Sequence, residues 1–365
     1  MPESAVPFMR LHHIAIDGFR LLREVSLSPG PGVNVISGGN AQGKTSILEA
    51  VLYCATARSH RTHNERELVQ HGREGFQLKL EVARRERTVV LEAYSWQGAR
   101  RFKVQGVAQA RTSGLLGQAH VVFFSPEDVD IVRGTAAVRR RFLDMELSQL
   151  QPAYLHALQQ YRLILRQRNE LLRGRNVDDA QLEAWDAPLI QHAEVLVRER
   201  RAFIEELAGG AEEAYGRIAP SEKLRLAYEP SADSGEDLAR LLVKNRAADI
   251  RNKVTGRGPH RDDLALFVGD TPARTFGSQG QQRTAALAVK LAEVGLVHAR
   301  KGEYPVLMLD DVLSELDAER SRRLFETLDD AVQCLLTTTD LSLGEQVFGG
   351  RATHFRVEQG SVLHE

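Results

Sequence analysis

The hydrophobic pattern of this 365-residue chain begins as short runs in which apolar and polar positions alternate. Alternation with period two between turn residues predicts β-strands. The strands predicted in this region are 10–17, 22–27, 32–37, 77–83, 88–94 and 100–104. One segment, 44–57, instead carries apolar residues at helical spacing. The first third is therefore predicted to be strand-rich, with a single strong helix.

The pattern changes to helical spacing after a strand predicted at 121–124. It continues to residue 208 with breaks at Pro152 and 174–179. Gly209–Gly210 and Pro220 are expected to end these helices, because glycine and proline disfavour helix interiors. No heptad run is long enough for an extended coiled coil, so we expect a compact helical arm.

Strands and helices alternate again in the last quarter of the chain. The predicted strands are 264–268, 306–309 and 333–338, and the predicted helices are a long one from Ser278 and another over 318–328. This pattern is typical of an α/β fold. The helical arm therefore interrupts an α/β domain.

Composition limits the class of protein. The length suggests about two domains, and 42% hydrophobic residues are ample for a core. No stretch has the apolar length of a membrane span, and the first residues lack a signal-peptide core, so a cytoplasmic location is expected. Cys54 and Cys334 lie in apolar runs and are interpreted as core residues.

Charge is unevenly distributed, although the net charge is only −1. Residues 57–111 contain twelve Lys and Arg against six Asp and Glu, whereas residues 303–340 contain three Arg against ten Asp and Glu. This asymmetry predicts separate basic and acidic surfaces.

The strongest chemical motif follows the strand predicted at 32–37. Residues 37–45 read S-G-G-N-A-Q-G-K-T, which fills the phosphate-loop pattern G-x-x-x-x-G-K-[ST]. Strand, glycine loop and helix come in the order that lets backbone N–H groups surround a phosphate. Lys44 is expected to reach the β- and γ-phosphates and Thr45 to bind Mg²⁺. The expected ATP-binding residues of this loop are Gly38, Gly39, Asn40, Ala41, Gln42, Gly43, Lys44 and Thr45.

Paired carboxylates end the strand predicted at 306–309. Asp310 is expected to hold the metal and Asp311 to orient or deprotonate the attacking water. The alternative is a buried strand that ends at an Asp-rich turn, which the phosphate loop makes less favoured. Lys44, Asp310, Asp311 and Ser278 are the expected catalytic residues.

The segment 276–283 reads F-G-S-Q-G-Q-Q-R and opens the long helix. Ser278 and Gln281 could form a capping box and nothing more. A capped helix N-terminus with a serine hydroxyl is also a site for the γ-phosphate of another subunit's ATP. In that interpretation the binding residues are Ser278, Gln279, Gly280, Gln281 and Gln282.

Other charged clusters have two interpretations each. The turn 58–61 could contact nucleotide or DNA, but a solvated basic turn is commoner. The run 260–263 fits a structural ion network or a site near the nucleotide equally well. For Arg139–Arg141 and 198–201, a solvated helix face is favoured over a track that contacts DNA.

The order of these motifs resembles the ABC-type ATPase heads, and most closely the RecF family. The resemblance covers the whole chain and includes S-P-E-D at 125–128, G-P-H-R-D-D at 258–263, L-D-D-V-L-S-E-L-D at 309–317 and T-T-T-D at 337–340. It implies an ABC-type P-loop ATPase head, with a mixed sheet and an antiparallel β subregion, interrupted by a helical domain. The implied domains are 1–138 with 250–365, and an inserted 139–249.

The resemblance also implies a function. ATP would drive dimerisation, the dimer would bind duplex DNA or single-strand/double-strand junctions, RecR would be a partner, and the purpose would be loading of RecA at gaps. Where transporter heads usually have Glu, this chain has Asp311, whose shorter side chain predicts weak hydrolysis. The expected metal residues, Thr45 and Asp310, make that hydrolysis Mg²⁺-dependent. Thr339 lies about where transporter heads carry a switch histidine, so its role is left open.

Two other classes are considered. A soluble ATPase head of a membrane transporter is disfavoured by the long separation of Thr45 from Ser278 and by the absent switch histidine. An SMC-like tether would need long heptad arms, and the sequence has none.

Overall fold

The computed structural model describes residues 9–85, 87–174, 177–315, 322, 323, 325, 328–339 and 351–364. The strands of these residues are β1 (Met9–Phe19), β2 (Leu22–Leu27), β3 (Val33–Ser37), β4 (Gly75–Arg84), β5 (Arg87–Trp96), β6 (Ala99–Val104), β7 (Val107–Gln109), β8 (Val121–Phe124), β9 (Leu224–Glu229), β10 (Asp263–Val268), β11 (Thr271–Pro272), β12 (Val306–Leu309), β13 (Cys334–Thr338), β14 (Thr353–Glu358) and β15 (Ser361–His364). The helices are α1 (Lys44–Thr56), α2 (Asp130–Arg133), α3 (Ala136–Leu150), α4 (Pro152–Leu172), α5 (Asp179–Ile218), α6 (Gly235–Asn252), α7 (Ala273–Phe276) and α8 (Gln279–Lys301).

Two compact units divide the chain. Unit A comprises Met1–Asp128, Arg217–Pro220 and Lys290–Glu365, and unit B comprises Val129–Gly216 and Ser221–Val289. The sequence places the domain limits at 138/139 and 249/250, whereas the compact units change at 128/129 and 289/290. Unit B therefore takes in α2 and the small sheet of β9, β10 and β11 as well as the long helices.

Unit A contains an antiparallel sheet in the order β2-β1-β4-β5-β6-β7. Every predicted strand of the first third is confirmed to within two residues at each end. Inward positions such as Leu78, Leu80 and Val82 of β4 are buried, and the residues between them are more exposed. This alternation is the period that the sequence showed, because successive side chains of a strand point to opposite faces.

The second sheet of unit A has the order β15-β14-β3-β13-β12-β8. Its strands are parallel except that β15 is antiparallel to β14. In this register Leu309 lies beside Phe124 and Leu336, and Thr338 lies beside Ser37. The carboxyl ends of β3, β13 and β12 therefore meet at one edge, which confirms the predicted mixed sheet with an antiparallel β subregion.

Helix α1 is buried over nearly its whole length. Ile47, Val51 and Tyr53 belong to a continuous apolar core shared with strands of both sheets in unit A. The Tyr53 ring meets Phe76 edge to face, with centroids 5.6 Å apart. Burial on all sides fixes where α1 begins, and so fixes the position of the loop before it. Cys54 and Cys334 are buried and unbridged, as predicted.

The helices of unit B follow the predicted pattern, with one error. Gly209 and Gly210 do not end a helix, because α5 continues to Ile218, two residues before Pro220, the other predicted end. Leu207, Ala211 and Tyr215 recur every four residues and are fully buried. The apolar face thus outweighs the cost of a helical glycine, which is about 1 kcal/mol. In the part of the chain that the structure describes, no helix is long and apolar enough to cross a membrane.

Unit B also holds a buried ion network. Arg200 donates to Asp262 (2.8 Å) and to Asp144 (2.9 Å), and Arg139 forms a two-pronged pair with Asp263 (2.6 and 2.8 Å). The prediction that Arg139 and Arg200 lie on solvated faces is wrong, since both side chains are buried. For the run 260–263, the structural interpretation is the one observed.

Candidate functional site

The phosphate loop joins β3 to α1 through left-handed backbone conformations. Gly38, Ala41 and Gly43 have φ of 150°, 59° and 112°. A Cβ at Gly38 would lie 2.4 Å from the carbonyl oxygen of Val357, so only glycine fits there. The predicted strand, loop and helix are therefore confirmed as local structure.

Lys44 is the first residue of α1 and folds back over the loop. Its Nζ donates to the carbonyl oxygens of Gly38 and Gly39, both at 2.8 Å. Burial lowers the pKa of Lys44, whereas the carboxylates of Asp311 and Asp310 act to raise it. The ammonium group therefore lies between loop carbonyls and acidic side chains, where an anionic phosphate would be attracted.

Thr45 and Asp310 meet although they lie 265 residues apart in sequence. The Thr45 hydroxyl donates to Oδ1 of Asp310 at 2.9 Å. Two neighbouring oxygen ligands of an octahedral Mg²⁺ are separated by about 3 Å, and Mg²⁺ prefers oxygen ligands while keeping several waters. The two side chains thus fit the predicted metal.

Thr337 joins the carboxylate of Asp310 to the backbone of Asp311, a role that the sequence pattern did not predict. Its hydroxyl donates to Oδ1 of Asp310 (2.6 Å) and accepts from the backbone N–H of Asp311 (2.9 Å). Burial raises the pKa of Asp310, against the opposing effect of the Thr337 and Thr45 hydroxyl groups. Parallel pairing of β12 with β13 brings Thr337 to this place, a contact that the sequence pattern alone does not show.

Asp311 follows Asp310 in a left-handed conformation with φ of 50°. A non-glycine residue in this region is uncommon and is often found at functional sites. The side chain is half-buried. The structure therefore places Asp311 beside the metal candidate, and its role as base stays a prediction.

The second predicted part of the ATP site, residues 278–282, lies in unit B. The backbone N–H of Ser278 donates to Oε1 of Gln281 (2.8 Å), and that of Gln281 donates to the Ser278 hydroxyl (3.2 Å). The capping-box interpretation is therefore confirmed. Ser278, Gln279 and Gly280 are exposed at the start of α8. A capping role leaves the predicted phosphate role possible, because the hydroxyl hydrogen is still a donor.

Glu49 organises the basic turn after α1, which sequence reasoning missed. Arg20 binds both of its carboxylate oxygens (2.9 and 2.7 Å), and the Ser59 hydroxyl donates to one of them (2.5 Å). The His60 ring packs on Phe123 with centroids 4.5 Å apart, and burial lowers the pKa of His60 to about 4. Ser59 and His60 of this turn therefore have contacts within the fold.

An open cavity of about 840 Å³ adjoins the loop in unit A. Gly38, Gly39 and Gln42 line it together with Thr339 and Arg356. Thr339 thus lies at the same cavity as the loop, and its role stays open. Asp317, Asp340 and most of the helix predicted over 318–328 lie outside the described residues.

The parallel sheet, the loop and the carboxylate strand define an ABC-type P-loop ATPase head. The family described as RecF/RecN/SMC N terminal domain matches residues 10–358. The "DNA replication and repair protein RecF" of Listeria innocua serovar 6a is 41% identical over 367 residues, which covers 97% of this chain and 99% of that protein. The RecF of Oceanobacillus iheyensis is 38% identical over 97% of this chain and all of that protein.

Solved structures indicate the same family as these relatives. The structure described as the recombination mediator protein RecF-ATP in the RecFOR pathway has a TM-score of 0.91 and 31% sequence identity, and covers both chains fully. An Smc head domain from Pyrococcus furiosus has a TM-score of 0.58 at 14% identity and covers 97% of this chain and 95% of that one, which shows likeness of fold. The chain belongs to the RecF family.

Proposed function

We propose that this protein is an ATP-dependent DNA-binding protein of recombinational repair with weak, Mg²⁺-dependent ATPase activity. The observation that carries the proposal is the 2.9 Å contact between Thr45 and Asp310, which joins the two halves of an ATPase site. Two comparisons support it. The relatives are named as DNA replication and repair proteins, and a similar solved structure is described as RecF-ATP.

ATP binds with its phosphates in the loop Gly38–Thr45. Lys44 exchanges its two carbonyl contacts for the β- and γ-phosphates, since a charged acceptor forms the stronger hydrogen bond. Thr45 and Asp310 hold Mg²⁺, which neutralises charge on the phosphates. Asp311 orients the attacking water and accepts its proton.

ATP also drives dimerisation. Ser278, Gln279, Gly280, Gln281 and Gln282 act on the nucleotide held by another subunit. In this arrangement the Ser278 hydroxyl donates to the γ-phosphate while it still accepts from Gln281. A ligand that binds only the dimer stabilises the dimer by mass action. Hydrolysis removes the γ-phosphate and releases the dimer.

The dimer binds duplex DNA or single-strand/double-strand junctions, mainly through phosphate contacts. It acts in the cytoplasm, with RecR as partner, and helps load RecA at gaps. The family and the basic segment 57–111 support these proposals. A transporter head is not favoured, because the relatives that match nearly the whole chain are repair proteins.

Gel filtration with and without ATP tests the proposal. We expect ATP and Mg²⁺ to shift the chain from monomer to dimer, and to raise its affinity for duplex DNA in a salt-dependent way. Lys44→Ala should show neither effect. The proposal is wrong if ATP leaves both dimerisation and DNA affinity of the wild-type chain unchanged.

Mixed dimers test the shared site. One subunit carries Lys44→Ala and the other Ser278→Ala, so that one composite site loses both groups and the other keeps both. We expect the mixture to hydrolyse ATP faster than either homodimer. Equal rates in all three samples would rule out the two-subunit site.

A further inference from the structure

The turn between β14 and β15 contacts the phosphate loop directly. The backbone N–H of Gln359 donates to Oε1 of Gln42 at 2.6 Å, and the N–H of Gly360 donates to the carbonyl oxygen of Gln42 at 3.1 Å. Two successive amides of one turn thus bind the side chain and the backbone of one loop residue.

The fit around this turn leaves no room for a Cβ. A Cβ at Gly360 would lie 2.2 Å from the carbonyl oxygen of Leu21, and one at Gly38 would lie 2.4 Å from that of Val357 in β14. Backbone therefore meets backbone on both sides of the hairpin. Such close approach is a recurrent reason for glycine.

Two other hairpins of unit A provide a comparison within the same chain. The β5–β6 and β6–β7 turns are also Gln-Gly pairs, 97–98 and 105–106, with positive φ at both residues, as at 359–360. Gly98 and Gly106 face open space. The turn conformation is therefore ordinary, and what distinguishes 359–360 is its contact with the loop.

We propose that the β14–β15 hairpin is a positioning element for the phosphate loop, with Gln42 as the positioning residue. The hairpin holds the loop between β3 and α1 in one conformation before ATP arrives, so that binding does not have to order it. This inference rests on the proposed function, since it assumes that the loop binds ATP.

Two variants of the full chain separate the hairpin contact from general stability. Gly360→Ala places a Cβ against the carbonyl oxygen of Leu21, so the turn must shift and its amides lose their positions on Gln42. Gln42→Met keeps the side-chain length but removes the acceptor. Gly98→Ala is the matched control, because it imposes positive φ on a side chain in open space. ATP affinity is measured by calorimetric titration, with thermal unfolding of each variant alongside.

We expect Gly360→Ala and Gln42→Met to weaken ATP binding by about tenfold, the effect of one or two lost hydrogen bonds. KM should rise, whereas kcat should stay within about twofold of the wild-type value, because a filled loop is ordered by ATP itself. Gly98→Ala should lower the unfolding temperature without changing affinity for ATP.

The outcomes distinguish the inference from the proposed function. Wild-type affinity in Gly360→Ala and Gln42→Met, with binding lost in Lys44→Ala, would overturn the inference alone. An equal loss of affinity in Gly98→Ala would also overturn it, because the effect would then follow stability. A wild-type chain that does not bind ATP would overturn the proposed function and the inference together.

Discussion

Oδ1 of Asp310 accepts two hydroxyl hydrogen bonds, from Thr45 and Thr337, in the interior of unit A. Burial raises the pKa of this carboxyl group. The ionised form is therefore less stable in the fold than in water, and a bound cation would reverse that penalty. Asp310 is thus expected to bind the metal, and its buried charge is expected to destabilise the fold when no metal is bound.

Asp310→Asn is expected to stabilise the protein in the absence of ATP and Mg²⁺. The amide oxygen can still accept from Thr45 and Thr337, and the buried charge is removed. A raised pKa means that the native state binds more protons than the unfolded state, so the penalty is present above the unfolded-state pKa. We expect the free energy of unfolding at neutral pH to rise, as measured by urea unfolding.

Asp329→Asn is the control for this change. The Asp329 carboxylate accepts from the N–H of Ala331 and the hydroxyl of Tyr304 (2.9 and 2.8 Å), and the backbone hydrogen bond is the main reason that its pKa is lowered. This substitution should lower stability at neutral pH. A loss of stability in Asp310→Asn as well would contradict the argument.

Asp311→Asn is expected to bind ATP normally and to lose turnover. The amide keeps the size of the side chain but cannot accept a proton from the attacking water. Nucleotide titration and a single-turnover assay measure the two effects. Wild-type turnover in this variant would remove Asp311 as the base.

At the scale of elements, the sequence predicted those strands and helices that local hydrophobic spacing and turn residues determine. The unit of β3, loop and α1 follows from a β-branched run, glycines and helical spacing. The contact of Thr45 with Asp310 depends on the register of β12 beside β13, which local pattern does not encode. The hairpin β14–β15 was not predicted, because Gln359–Gly360 lacks the Asn or Asp typical of a two-residue turn, although both residues have the positive φ of such a turn.

Helix α5 shows how context changes the role of one residue type. Arg198 and Arg200 lie two positions apart, and the sequence pattern treats them alike. Arg198 is 63% exposed beside Glu199, whereas Arg200 is 2% exposed between Asp144 and Asp262. The difference arises from which face of the helix packs in unit B.

Arg200→Met is expected to destabilise the protein by about 3–5 kcal/mol, because it removes the arginine paired with buried Asp262 and leaves Asp144 with Arg162 alone. Arg198→Met, in the same helix, should change stability by less than about 0.5 kcal/mol. Thermal unfolding followed by circular dichroism measures both. Similar losses in the two variants would show that the network does not act as a buried ion cluster.

At the scale of the whole molecule, each unit contains histidines that the fold keeps neutral. Burial lowers the pKa of His60 and His260 to about 4 and that of His120 to about 3. The ring of His260 is fixed by the Tyr161 hydroxyl (2.6 Å) and the carbonyl oxygen of Thr255 (2.8 Å). An added proton on any of these rings would have to be buried with it.

The protein should therefore lose stability as pH falls from about 6.5, the ordinary histidine value, towards 4. In this window the unfolded chain binds protons that the native state rejects, so the free energy of unfolding rises with pH. Each histidine adds up to about 1.4 kcal/mol per pH unit.

Urea unfolding between pH 7 and 5 measures the slope, and His260→Gln should reduce it. Carboxylates with lowered pKa values titrate mainly below this window, whereas the raised pKa of Asp310 gives a slope of opposite sign, so the change caused by His260→Gln is what identifies histidine. A stability that does not change between pH 7 and 5 would mean that these rings are protonated in the fold.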